Sequence, residues 1–152
     1  MPLTPLLYQL LEKLDKTALR ELKKLVRSPY VTHRKDIPLL FNTLASYCYQ
    51  GKPFPKKEHL LKSVYDDQPY DDQLLRSLMS DLHLIIEKYL TWNAVTADEV
   101  SSHLALAGFY RQRNLTKHYG RTIKKADRKQ SQHPYRNADF FQNQLKLQLE
   151  TS

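Results

Sequence analysis

The stretch YDDQLLRSLMSDLHLIIEKYLTW, residues 70–92, limits the fold of this chain more than any other. Its apolar residues Leu75, Leu78, Met79, Leu82, Ile85, Ile86, Tyr89 and Leu90 recur every three or four positions. That period gathers them on one face of an α-helix and would scatter them over both faces of a strand. One continuous helix is therefore predicted over 71–93, with Leu75, Leu78, Leu82, Ile85 and Ile86 buried. At 1.5 Å per residue it is roughly 35 Å long, enough to serve as the spine of a small domain. Asp71 and Asp72 open it, where carboxylates accept from free amides and oppose the positive end of the helix dipole. The surrounding DDQPYDDQ, residues 66–73, lacks the glycine and the alternating oxygen ligands of a calcium loop.

The rest of the chain repeats the same period between prolines and capping residues, with no competing strand pattern, so the fold class is all-α. Thr4 before Pro5 starts a first helix to about Leu14, with proline at the first helical position, where its missing amide costs nothing. Asp15 caps a second helix, with Leu19, Leu22, Leu25 and Val26 inward, that ends at Pro29 in RSPY. Asp36 caps a third, carrying Leu40, Phe41, Leu44, Tyr47 and Cys48, which Gly51 and Pro53 stop. A short fourth helix ends near Val64. These four and the spine form an N-terminal bundle of about five helices over residues 1–93.

A second segment, 94–152, begins at TADE, where Thr96 and Glu99 have the spacing of a capping box. One helix runs through VSSHLALAGFYRQ, Arg113 and Asn114 make a turn, and a basic helix follows over 115–131. Gly108 and Gly120 lie six residues either side of the turn. Each glycine costs roughly 1 kcal/mol inside a helix, so a close backbone approach is the expected reason for the pair. This twelve-residue spacing of small residues, with Leu104 four before the first, resembles a tetratricopeptide hairpin. Asn137 caps a last helix whose apolar face is Phe140, Phe141, Leu145 and Leu149. That face needs covering, either by the hairpin or by self-association with a second copy.

Two segments also resemble a known family. ELKKLVRSPYV (21–31) and LRSLMSDLHLIIEKYL (75–90) are similar to stretches of an uncharacterised family of bacterial all-helical proteins, whose members are longer and continue into helical repeats. The resemblance implies an N-terminal helical domain leading into a tetratricopeptide-like solenoid, of which 94–152 is the start. It brings no activity, cofactor or catalytic residue.

Charge is concentrated in one place. Residues 111–136 carry nine basic side chains against the single acid Asp127, while the other 126 residues carry fifteen basic and fifteen acidic groups. Within that segment Lys117, Arg121, Lys124, Lys125 and Arg128 fall on one side of the helix, and Leu115, Tyr119, Ile123 and Ala126 on the other. The candidate binding residues are Arg111, Arg113, Lys117, Arg121, Lys124, Lys125, Arg128 and Lys129, with Tyr110 and Tyr135 as aromatic groups able to stack. Such a stripe fits an acidic protein partner or, as the alternative, nucleic acid. No helix-turn-helix, zinc-finger or RNA-module pattern accompanies it.

Little else points to chemistry. Three glycines, far apart, cannot form a phosphate-cradling loop. Six histidines include no pair three or four apart, the spacing that aims two ligands at one metal. The one cysteine, Cys48, sits among core positions and permits no internal disulfide, which fits a reducing compartment. MPLTPLLYQLLEKL has no basic leader and reads as an amphipathic helix, and no apolar run approaches the roughly 18 residues of a membrane span. The expectation is a cytoplasmic, non-enzymatic interaction or scaffold module without cofactor or metal.

Overall fold

The long apolar stripe does form one unbroken helix. The structure is a computed structural model that describes residues 5–132 and 138–151, and within the second of these segments the side chains of 142–150. Every regular element among the described residues is an α-helix. The chain divides into two compact units, Met1–Tyr89 and Leu90–Ser152.

The first unit contains α1 (Leu6–Glu12), α2 (Lys16–Leu25), α3 (Asp36–Gln50), α4 (Lys57–Val64) and most of α5 (Asp72–Ala97). Asp71 starts α5 by accepting from the amides of Gln73 at 3.0 Å and Leu74 at 3.2 Å. Leu75, Leu78, Leu82, Ile85 and Ile86 are all buried, as the period predicts. The helix then runs on to Ala97, four residues past the expected end, because Thr96 does not cap its successor. The Thr96 hydroxyl donates back to the Trp92 carbonyl at 2.7 Å, the inward-looping bond that a threonine inside a helix makes.

Packing around α3 organises this unit, with α1, α2 and α4 against it. Asp15 caps α2 as expected, accepting from the Ala18 amide at 2.7 Å, and Leu19, Leu22 and Val26 turn inward. That helix stops at Leu25, short of Pro29. Pro5 proves to be the N-cap of α1 and not its first helical residue, and α1 ends at Glu12; Thr4 lies outside the described residues. Tyr8 stacks on Phe54 with ring centroids 4.6 Å apart and donates to the Pro55 carbonyl at 3.3 Å, which ties down the GKPFP loop. Gly51 closes α3 at φ 65°, a left-handed conformation that a glycine adopts without steric penalty.

Asp36 departs from its expected role. It stands in the first turn of α3 but makes no cap, since its carboxylate is taken by stronger donors. Arg34 grips it at two points, Nε to Oδ1 and a terminal nitrogen to Oδ2, both at 3.1 Å, and the Tyr65 hydroxyl donates to the same Oδ2. Arg34 also reaches Asp81 on α5 at 2.6 Å and the Ser77 hydroxyl at 3.2 Å. Burial alone would raise the Asp36 pKa, but the Tyr65 and Arg34 hydrogen bonds and the Arg34 charge outweigh it and hold the carboxyl below its usual range. One guanidinium thus joins the loop before α3, the start of α3 and the middle of α5. Its Asp36 arm, with that carboxylate only 14% exposed, falls in the class of charged hydrogen bonds that contribute about 1.5–3 kcal/mol. Its Asp81 arm, 48% exposed, belongs with surface pairs at about 0.2–1 kcal/mol.

The second unit holds the end of α5, then α6 (Glu99–Gln112), α7 (Thr116–Ser131) and α8 (Ala138–Thr151). Helices α6 and α7 pack along their length as an antiparallel hairpin: Lys129 at the end of α7 pairs with Glu99 at the start of α6, and Tyr110 meets His118 beside the turn. Asn114 makes that turn at φ 58°, a conformation asparagine tolerates better than most residues.

The seam of the hairpin differs from expectation. A Cβ built on Gly108 or Gly120 would meet nothing within 4 Å, so neither glycine marks a close approach. The buried residues of the hairpin are Val100 and Ala107 on α6 and Thr122, Ala126 and Gln130 on α7. Tyr119 and Ile123 are only half-buried and Leu115 is exposed. Small or polar side chains therefore take the most buried positions of α7, with its larger apolar residues only partly covered.

Helix α8 packs on α7 and α6, but not by the expected face. Leu145 is 57% and Leu149 67% exposed, whereas Asn143 and Leu147 are buried. Phe140 and Phe141 fall outside the described side chains.

Leu82→Ala should destabilise the chain by about 2–5 kcal/mol, because a leucine-sized cavity would open in a fully enclosed site. Urea unfolding followed by circular dichroism would measure it. Gly120→Ala should stabilise by about 0.5–1 kcal/mol, since the added methyl meets no neighbour and lowers the entropy lost on helix formation. A loss of stability in that variant would restore the close-approach reading.

Candidate functional site

The basic segment forms most of α7 and the turn before it; Arg136 lies outside the described residues, and the other eight cations fall into two groups. Arg111, Arg113 and Lys129 are engaged by their own unit. Arg111 donates to the Glu150 carboxylate on α8 at 3.1 Å, and Lys129 pairs with Glu99 at 2.9 Å. Arg113 lies over the Phe109 ring, its guanidinium carbon 3.8 Å from the centroid, a cation–π contact. The second group is Lys117, Arg121, Lys124, Lys125 and Arg128. All five are exposed, and among the described residues none forms an ion pair.

Their geometry follows from the helix. Steps of four, three, one and three residues keep the five within one side of α7, opposite Thr122, Ala126 and Gln130. From Lys117 to Arg128 the row is roughly 16 Å long, three turns at 1.5 Å per residue. It is internally repulsive: Lys117 and Arg121, Arg121 and Lys125, and Lys124 and Arg128 are like charges four apart, each pair destabilising by about 0.2–0.5 kcal/mol. Lys117 also faces the positive end of the helix dipole, while Arg128 gains from the negative end. The one acid of the helix, Asp127, is exposed three residues after Lys124, at the edge of the row.

Of the two aromatic candidates, Tyr110 is not free to stack. Tyr110 is half-buried, its ring 5.1 Å from His118 and 5.9 Å from Phe109. Tyr135 lies outside the described residues. Tyr119 donates its hydroxyl to the Glu150 backbone carbonyl, so its position between core and surface is set by a bond to α8.

What holds this surface in shape is a polar face on α8 that the apolar pattern concealed. Asn143, Leu147 and Glu150 recur at helical spacing and point inward. Asn143 donates to Asp98 at 3.1 Å and accepts from the Ser101 hydroxyl at 3.2 Å. Asp98, not Thr96, caps α6, accepting from the Ser101 amide at 3.2 Å. Glu150 receives both Arg111 and Tyr119. A search restricted to apolar positions could not find this ladder. The signal present was the i, i+4, i+7 spacing of one amide, one leucine and one carboxylate.

Burial, and after it the nearby Glu12, raises the Cys48 thiol pKa, the reverse of what a thiolate nucleophile requires. Among the described residues no three His, Cys, Asp or Glu side chains come together as a metal site, and no helix is long and apolar enough to cross a membrane.

Burial of Asp98 would raise its pKa, but the Ser101 hydroxyl and amide and the Asn143 amide outweigh that and lower it. A carboxylate depressed in the folded state contributes stability above its unfolded pKa and loses it as pH falls through the folded one. Asp98→Ala should therefore cost about 0.5–2 kcal/mol at neutral pH, and the gap from the unaltered protein should close as the solution is acidified through that value. Denaturant titrations at several pH values would show the convergence.

No protein-family model, curated protein or solved structure matches the chain.

Proposed function

We propose that this chain is a non-enzymatic helical interaction module, in which an N-terminal bundle leads into a tetratricopeptide-like segment that docks a protein partner along α7. One observation carries the reading. Five cations stand exposed in a single row without a counter-ion among the described residues, beside two that carboxylates of the unit neutralise and one, Arg113, that lies on the Phe109 ring. Repulsion within the row destabilises the free helix, and an acidic partner relieves it.

Nucleic acid is the second reading, favoured by the arginines and by the length of the row. Against it stands the state of the aromatic groups. Tyr110 is packed on His118 and Phe109 lies under Arg113, so neither of these rings is free to stack on bases.

Salt dependence separates the two. For nucleic acid, affinity falls steeply with salt, and changing each of Arg121, Lys124, Lys125 and Arg128 to Gln lowers the log–log slope by about one. The expected result with short DNA and RNA duplexes is weak binding without sequence preference. Sequence-selective, sub-micromolar binding at physiological salt would replace the protein-docking reading with the nucleic-acid one.

A further inference from the structure

The row on α7 has a shape as well as a sign. Its members sit at positions 117, 121, 124, 125 and 128, so successive turns of the helix each present a cation to the same side. Charges arranged in this way repeat with the helical pitch, about 5.4 Å. A second α-helix shares that pitch, so carboxylates at i, i+4, i+7 and i+11 on a partner come into register with the row over its whole length. An extended chain advances more than twice as far per residue and meets the row at few points.

The edges of the row sharpen this match. Toward its ends Arg111 pairs with Glu150, Lys129 pairs with Glu99 and Arg113 lies on the Phe109 ring, so among the described residues the cations of this segment with neither an ion pair nor a ring contact occupy about three turns of one helix. A long polyanion would overhang this footprint. Asp127, exposed beside Lys124, places a negative charge on one flank. It repels a ligand that is negative on every side, while a helix with an acidic stripe flanked by a basic residue satisfies both. The face has no large apolar side chain among the five, so nothing there anchors a ligand by burial.

From these features we infer that the partner element recognised by α7 is an acidic amphipathic helix, about three turns long, lying along the row with its carboxylates in register. The inference rests on the protein-docking reading and adds the form of the docked element. Recognition is electrostatic and exposed, so it is fast, weak for a single contact and strongly weakened by salt.

Three fluorescent probes test it with the full 152-residue chain at low salt. The first is a lactam-stapled helical peptide with glutamates at i, i+4, i+7 and i+11. The second has the same composition and staple with its glutamates distributed around the helix, and the third is a short DNA duplex. The registered peptide should bind about tenfold tighter than its scrambled counterpart, the gain expected from a few additional aligned pairs. Arg121→Gln with Lys125→Gln should remove that difference without lowering the circular dichroism melt, because both side chains are exposed and their loss relieves two like-charge pairs four apart. Equal binding of the two peptides, both tighter than the duplex, would overturn the helical register and leave protein docking standing. Tighter binding of the duplex than of either peptide would overturn both.

Discussion

Burial of the α5 stripe is the constraint from which the first unit follows. Leu75, Leu78, Leu82 and Ile86 are almost wholly excluded from solvent, and one helix cannot do that for itself. Leu11, Leu22, Ile37, Leu40, Phe41, Leu44, Leu60 and Leu61, contributed by the other four helices, are equally enclosed. At about 1.5–3 kcal/mol for each large apolar side chain removed from water, this is the dominant favourable term, set against the entropy of ordering the chain. The Arg34 hub is smaller in energy and different in kind. Its two-point grip on Asp36 and its reach to Asp81 work only at one relative position of α3 and α5, so it fixes register where leucine packing alone tolerates sliding.

The second unit is built on another balance. All the largest fully buried side chains among the described residues belong to the first unit, while the α6–α7 seam relies on Ala107, Thr122 and Ala126. Small residues allow close approach but remove little apolar surface. Polar bonds supply the remaining definition: Asp98 with Ser101 and Asn143, and Glu150 with Arg111 and Tyr119. Such contacts are sensitive to protonation and, where exposed, to salt. The unit carrying the basic row thus depends in part on contacts that pH and salt change.

Much of this was legible in advance, for identifiable reasons. The spine, the Asp15 cap, the Gly51 stop and the turn at Asn114 each depend on local rules that tertiary context did not override. The misreadings share a cause. Asp36, Thr96 and the Gly108–Gly120 pair each fit a simple spacing rule, and in each case a competitor that the rule does not weigh decides the outcome. Asp36 met Arg34 and Tyr65, Asp98 displaced Thr96 at the helix start, and Ala107 with Ala126 formed the seam. On α8 the apolar template chose Leu145 and Leu149, which are exposed, and passed over Asn143 and Glu150. Hydrophobic periodicity finds the inward face of a helix only where that face is apolar.

The same contrast gives the row on α7 its meaning. A basic segment that merely keeps a protein soluble has no need to distinguish its members, yet here position decides which are neutralised. Arg111 and Lys129 lie toward the ends of the hairpin helices, where Glu150 and Glu99 come within reach. Arg113 lies on the Phe109 ring; the five of the row stand on the side of α7 opposite its buried residues, and Asp127, the only acid on α7, sits beside them without an ion pair among the described residues. Compensating the three i, i+4 repulsions would take only glutamates at alternate positions of the row, a common arrangement on exposed helices. Their absence leaves the free helix under strain of roughly 1 kcal/mol in total, small enough for the hairpin to tolerate and large enough to favour a bound anion.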